Sequence, residues 1–247
     1  MLLRTRALTK SFGSLRAVDG VDLEVLPGRL HAIIGPNGAG KSSFFNVVTG
    51  FFPADSGSVT FKDQDITSLP PHVISRRGVV RAFQRGTIFH SFTVFENVQA
   101  SVLSRKSKTW NLFALAHTML REDTLRILDT LGLADHRDAE AGHLSHGDLK
   151  RLEIGIALGM EPELLLLDEP TAGMSPEETA AQAALMQRLV AERNLNILFT
   201  EHDMEVVFGI AKWITVMHLG RVIAEGRPDD VRRDRHVQAV YLGEEDA

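Results

Sequence analysis

Gly35-Pro36-Asn37-Gly38-Ala39-Gly40-Lys41-Ser42 follows the apolar run His31-Ala32-Ile33-Ile34 and leads into Ser43-Phe44-Phe45-Asn46-Val47-Val48. The order is strand, loop, helix, which is the context that a G-x-x-x-x-G-K-[ST] stretch needs to bind phosphate. Its glycines let successive backbone N–H groups turn inward around phosphate oxygens, and the helix that follows adds the partial positive charge of its N-terminus. In such a loop Lys41 reaches the β- and γ-phosphates and Ser42 ligates Mg²⁺. With average residue usage the pattern arises by chance in about one chain of this length in a hundred. A plain glycine turn is therefore the lesser reading, and the stretch predicts nucleotide binding.

Outward from the loop, the composition is that of an ordinary globular protein: 247 residues, 44% of them hydrophobic. A formal charge of −5 gives no basic footprint, so nucleic acid is not expected as a partner. The chain has no cysteine, which excludes disulfides and thiolate metal sites. No apolar segment at the start resembles a secretory signal, so an intracellular chain is expected. The uncharged stretch from Thr109 to Leu120 is shorter than the roughly 20 residues that span a bilayer.

Residues 1–34 alternate apolar and polar positions (Val21, Leu23 and Val25 against Asp22 and Glu24) between glycine-bearing turns, and predict antiparallel strands. Gly57 to Phe61 predicts another strand, Pro70 to Arg77 a short helix begun by proline, and Val79 to Phe83 a strand ending at Gln84. From Arg85 to about Asp138 the period becomes helical, as in Val94, Val98, Val102 and in Leu125, Leu128, Leu131. The basic turn Ser104 to Lys108 and the apolar stretch around Trp110 and Phe113 read as a solvated loop and a packing helix, with a membrane-facing surface as the sharper alternative. Leu144-Ser145-His146-Gly147-Asp148 opens a further helix; Ser145 and Asp148 have the spacing of a capping box, and the same helix start is a ready anion site.

Leu164 to Leu167 is wholly apolar, as a parallel strand buried on both faces must be, and ends in Asp168-Glu169. Two adjacent carboxylates are explained by a surface turn or by a bound Mg²⁺ with an activated water. Ser175-Pro176-Glu177-Glu178 starts a long helix, and Asn196 to Thr200 is a second buried strand, ending in Glu201-His202. Ligands of parallel sheets bind outside the carboxyl ends of the strands, so Lys41, Gln84, Asp168-Glu169 and His202 are expected on one side, around one phosphate chain.

These motifs, in this order, resemble the ATP-binding-cassette ATPases over nearly the whole chain. The resemblance implies an α/β fold: a P-loop NTPase core with an N-terminal antiparallel β subdomain (about 1–84 and 160–247) and a helical subdomain carrying the signature (85–159). It implies that Phe12 stacks on adenine, and that Val18 and the loop residues Asn37, Gly38, Ala39, Gly40, Lys41, Ser42 and Ser43 contact ATP. Ser42, Gln84 and Asp168 would serve Mg²⁺, Gln84 would also sense the γ-phosphate near the membrane partner, Glu169 would polarise the attacking water, and His202 would touch the γ-phosphate. Ser145, His146 and Gly147 would act on the ATP of a second cassette, identical or similar, in a head-to-tail dimer.

Ala172 to Pro176, Glu201 to Met204 and Val240 to Glu244 are similar to ATPases of importers for branched-chain amino acids, urea or short amides; Leu-Ser-His-Gly resembles the urea-type subgroup. This implies integral membrane permease subunits as partners, an external solute-binding protein indirectly, and a peripheral place on the cytoplasmic face of the inner membrane. Lipopolysaccharide-export ATPases share much of this tail and give the alternative direction of transport. A soluble cassette acting on ribosomes or DNA usually has two cassettes or a long coiled-coil insertion, and a GTPase needs an Asn-Lys-x-Asp motif; neither is seen. The chain departs from the family at His146 (usually glycine), Asp148 (usually glutamine), Ser175 (often aspartate) and Phe12 (commonly tyrosine).

Overall fold

The structure, a computed structural model, describes residues 1–82, 88–106 and 120–242. Strands β1 (Leu3–Phe12) and β2 (Leu15–Val25) pair antiparallel across a turn at Gly13, and β4 (Ser56–Phe61) pairs antiparallel with the other edge of β1. With the short β5 (Gln64–Asp65) they form a four-stranded sheet in the order β2-β1-β4-β5. A six-stranded sheet has the order β10-β9-β3-β8-β7-β6, where β3 is Leu30–Ile34, β6 Val79–Ala82, β7 Leu164–Asp168, β8 Asn196–Thr200, β9 Trp213–His218 and β10 Arg221–Gly226. Its pairs are parallel except β9 with β10.

One expectation is corrected here. Residues 1–34 do not form one antiparallel set, because β3 joins the second sheet and runs parallel to β8 and β9. The physical reason is visible in its residues: Leu30–Ile34 is buried along its whole length, whereas β1 and β2 alternate buried and exposed positions. A strand covered on both faces belongs inside a parallel sheet.

The cover comes from two separate cores. Ile33, Leu164, Leu166 and Leu198 face Phe44 and Phe45 of α1 (Lys41–Val48) and the inner face of the four-stranded sheet. Their neighbours Ile34, Leu165, Leu167, Ile197 and Phe199 face the other way, into a core with α3 (Val94–Arg105), α4 (Arg121–Leu131), α5 (His146–Leu158), α6 (Pro176–Arg193) and α7 (Met204–Ile210). Each central strand thus carries apolar side chains on both faces, at about 25 cal/mol for each Å² of apolar surface removed from water.

Helix starts are chemically marked. Thr93 and Glu96 form a capping box on α3, and Ser175 and Glu178 another on α6, with Pro176 in the first turn. The short α2 (Pro71–Arg76) follows Pro70, while α8 (Pro228–Arg233) and α9 (Arg235–Leu242) close the described chain. Gln84, the stretch around Trp110 and Phe113, and Gly243-Glu244 lie outside the described residues. Among the described residues no helix is long and apolar enough to cross a membrane.

Candidate functional site

The parallel strands β3, β7 and β8 end side by side. Beyond the end of β3, the loop 35–40 opens a cavity of about 320 Å³ lined by Asn37 to Ser43, Glu169, Leu15, Arg16, Ala17 and Leu219. Gly40 has φ +99°, and a side chain there would press a Cβ to 2.2 Å from the carbonyl oxygen of Ala17. That position admits only glycine, because the left-handed backbone and the close approach exclude every other residue. The loop then enters α1 with its N–H groups free of side-chain caps.

Lys41 is buried, and its ammonium donates to the carbonyls of Gly35 (2.6 Å) and Pro36 (3.0 Å), so the lysine braces its own loop. Burial lowers its pKa below the usual lysine range, against the opposing pull of the Glu169 and Asp168 charges. Ser42 is exposed at the cavity wall.

Asp168 is itself nearly buried. Its Oδ2 receives Arg81 Nη2 at 2.8 Å and its Oδ1 receives the hydroxyl of Thr200. Arg81 also donates to Asn46 Oδ1 and lies 5.6 Å from the ring centroid of Phe45, which ties the end of β7 to α1. Hard oxygen donors of this kind suit Mg²⁺, and Asp168 with Ser42 and phosphate oxygens would hold it; with both Asp168 oxygens already accepting hydrogen bonds, a water between carboxylate and metal fits best. Among the described residues no cluster of three or more His, Asp or Glu stands ready to hold a metal unaided.

Glu169 has φ +48°, a conformation that costs a non-glycine residue free energy unless its surroundings enforce it. Here they do: its N–H donates to Thr200 O (3.0 Å) and Thr200 Oγ1 (3.2 Å). The side chain consequently turns into the cavity. His202 stands next to it, its Nδ1 3.8 Å from Glu169 Oε1 and 3.7 Å from Glu201 Oε2, with most of the imidazole open to solvent.

The remaining expected residues divide. Asn37, Gly38, Ala39, Gly40, Lys41, Ser42, Ser43 and Glu169 line one cavity, and Asp168 and His202 stand at the strand ends beside it. Val18 has no exposed surface and belongs to the core under the four-stranded sheet; its predecessors Arg16 and Ala17 line the cavity instead. Phe12 is 41% exposed but packs edge-to-face on Phe52, centroids 5.1 Å apart, and is not part of the cavity lining.

Ser145, His146 and Gly147 do not line the cavity either. They form the start of α5, where Ser145 Oγ accepts the N–H of Asp148 (3.1 Å) and its hydroxyl donates to Asp148 Oδ2 (2.9 Å). The Asp148 carboxylate is thus held by its own helix and by Arg151 at 3.3 Å. His146 Nε2 lies 3.1 Å from the carbonyl of Ala172, and a Cβ on Gly147 would meet Glu178 Oε1 at 2.6 Å. This helix start is docked on its own chain's 172–178 segment.

Sequence reasoning missed Leu15, Arg16, Ala17 and Leu219 as lining and Arg81 and Thr200 as supports. Leu15 and Leu219 are exposed apolar residues only in the structure; Arg81 reads as an ordinary strand residue, and its partner Asp168 lies 87 positions away.

Comparison with known proteins finds relatives over nearly the whole chain. A family model described as ABC transporter matches residues 18–172, and one described as branched-chain amino acid ATP-binding cassette transporter matches residues 221–247. The high-affinity branched-chain amino acid transport ATP-binding protein LivG of Escherichia coli K12 is 38% identical over 98% of both chains. BraF of Pseudomonas aeruginosa, bearing the same description, is 37% identical over 98% of both. Among solved structures, a nucleotide-free ATP-binding cassette from an ABC transporter superposes with a TM-score of 0.87 at 35% identity, covering 97% of this chain and 98% of that one. The ADP conformation of the cassette MJ1267 gives 0.87 at 34% identity and 98% coverage of both.

Proposed function

The chain belongs to the ABC transporter ATP-binding family, and from that premise we propose that it is the motor subunit of an importer for branched-chain amino acids or related small polar solutes. The observation that carries the reading is the convergence of the loop 35–42, Asp168-Glu169 and His202 at three adjacent strand ends. Import is favoured over envelope-lipid export because the full-length relatives LivG and BraF are named for amino-acid transport and because the tail matches the branched-chain amino acid model.

Phosphoryl transfer needs little covalent help from a protein; it needs positioning and compensation of charge. ATP enters with its phosphates against the N–H groups of 38–43. Lys41 leaves the carbonyls of Gly35 and Pro36 and donates to phosphate oxygens, a charge-assisted bond in a partly dry site. Ser42 and Asp168 would hold Mg²⁺, which would supply neutralisation of phosphate charge. Glu169 accepts a hydrogen bond from the attacking water and orients it in line, and His202 donates to the γ-phosphate from the neighbouring strand end. Gln84 is assigned the γ-phosphate sensor on the family pattern. Phe12 contributes the adenine platform by turning from Phe52, while Val18 supports the cavity from beneath rather than by contact.

One chain supplies half of each site. Ser145, His146 and Gly147 stand away from their own cavity, and they complete the ATP site of a second cassette arranged head-to-tail. Closing and reopening of the pair drives integral membrane permease subunits, with the chain seated peripherally on them and an external solute-binding protein delivering the cargo. Residues 1–84 and 160–247 act as the catalytic core and 85–159 as the arm that carries the signature.

The test is to tag the Glu169→Gln chain, trap it with ATP in its native membranes, solubilise gently and identify what is recovered by mass spectrometry. Multi-span permease chains with a second cassette are expected. Envelope-export subunits would reverse the direction of transport, and ribosomal or nucleic-acid components alone would remove transport from the account.

A further inference from the structure

Two carboxylates are buried among the described residues. Asp168 has its explanation in Arg81 and the metal position; Glu201, only 1% exposed, has no role yet. Its Oε1 accepts the backbone N–H of Thr171 (3.0 Å) and the hydroxyl of Thr171, and its Oε2 accepts the backbone N–H of His202 (3.0 Å). Three donors from two different turns therefore converge on one carboxylate that has lost its water. A buried carboxylate is costly to keep, and an apolar side chain would fill the same volume at less cost. What the carboxylate adds is geometry: it accepts at both ends, which neither an alcohol nor an amide of that size can do.

The two ends are functionally distinct. Thr171 lies two residues after Glu169 and one before the 172–175 segment on which His146 docks. The other end fixes the backbone of His202, whose imidazole stands between Glu169 and Glu201. Thr200 adds a parallel tie, since it holds Asp168 and the N–H of Glu169. Residues 200 and 201 at the end of β8 thus grip residues 168, 169 and 171 at the end of β7.

We propose that Glu201 is a positioning residue for hydrolysis: its carboxylate locks the turn that carries His202 to the turn that follows Glu169, so that imidazole, water-orienting carboxylate and the 172–175 segment move as one unit. This rests on the reading that Glu169 and His202 act in hydrolysis. Displacement of His202 by the γ-phosphate is then passed to Thr171 and to the segment beneath the signature.

Glu201→Gln separates the two ends. The amide oxygen serves the two donors of Thr171, and the NH₂ group is left facing the N–H of His202, donor against donor. In the 247-residue chain, with rates normalised to the number of nucleotide-binding sites, kcat for ATP falls by about tenfold or more while KM stays within about twofold, because a misplaced catalytic group costs rate rather than binding. Thr171→Val, which removes one donor at the other end, lowers kcat with KM unchanged, and Thr171→Ser, which keeps both donors, restores what Thr171→Val loses. A purely structural Glu201 would lower the number of binding sites and leave kcat per site alone.

Controls separate this proposal from the reading beneath it. Glu169→Gln and His202→Ala are expected to lose hydrolysis. If they do, and Glu201→Gln and Thr171→Val both keep kcat per site within twofold of the parent, the positioning role is overturned. Parental rates in Glu169→Gln and His202→Ala would overturn the catalytic assignment itself. Should Glu201→Gln fail to fold, the Thr171→Val and Thr171→Ser pair decides alone.

Discussion

The cavity beside Lys41 and the start of α5 are both proposed above to meet phosphate, yet they are built in opposite ways. At the cavity, polar side chains are buried and braced: Lys41 on the carbonyls of its loop, Asp168 between Arg81 and Thr200, Glu201 between Thr171 and His202. At the start of α5, Ser145 and His146 are exposed, Gly147 is buried, and the polar contacts include a helix cap, an Arg151–Asp148 contact and a histidine–carbonyl hydrogen bond. A region that must hold charge in a fixed geometry before its ligand arrives needs such bracing, since preorganisation is what makes an electrostatic site effective. A region that meets its ligand on another molecule needs exposure first.

The largest expected effect tests the braced side. Lys41→Ala removes a charge-assisted hydrogen bond of about 2 kcal/mol or more, so ATP affinity falls at least about thirtyfold in equilibrium nucleotide titration. Unchanged affinity would show that the cavity is not where the phosphates lie. A second test uses His31, on the strand that feeds the loop. It is fully buried against Thr215 Oγ1 (2.9 Å), and burial pushes its pKa down to about 3 from an ordinary 6.5.

The unfolded chain therefore takes up a proton at His31 before the native one does. Stability contributed by the neutral ring is complete above about pH 6.5 and is lost as pH falls toward 3, by up to about 1.4 kcal/mol per pH unit. Urea unfolding between pH 7 and 5 should show this decline, and His31→Gln should flatten it. A decline that survives in His31→Gln assigns the dependence to other groups.

The same contrast explains what could be read from sequence. The phosphate loop was legible because its chemistry is local: glycines, lysine and serine within eight residues, each fixed by backbone geometry. Leu164–Leu167 was legible because burial on both faces leaves no polar position. The sheet to which β3 belongs was not, since short alternating strands on one side of Pro27-Gly28 drew Leu30–Ile34 into the same antiparallel set. Val18 shows a further limit: a residue can neighbour the site in sequence and still point into the core. The bracing network was invisible, because Arg81 with Asp168 and Glu201 with Thr171 are pairs 87 and 30 positions apart. Only the order of strands brings them together.

Asp148 illustrates the intermediate case. The spacing from Ser145 predicts a reciprocal capping box; the serine caps the Asp148 N–H as expected, but the aspartate takes the serine hydroxyl rather than the backbone N–H. Spacing determined which residues meet, and the short aspartate side chain determined which atoms.

The central claim is that the braced cavity of one chain is completed by the exposed helix start of another. The chain contains no cysteine, so Asn37→Cys and Ser145→Cys, introduced into separate tagged copies that also carry Glu169→Gln, report on that contact without background. A short bis-maleimide is added to the mixed copies with and without Mg-ATP. The account predicts a cross-linked species of twice the 27.3 kDa chain mass, carrying both tags and formed only with ATP. Saturating ATP binding with no cross-link between the copies would contradict it.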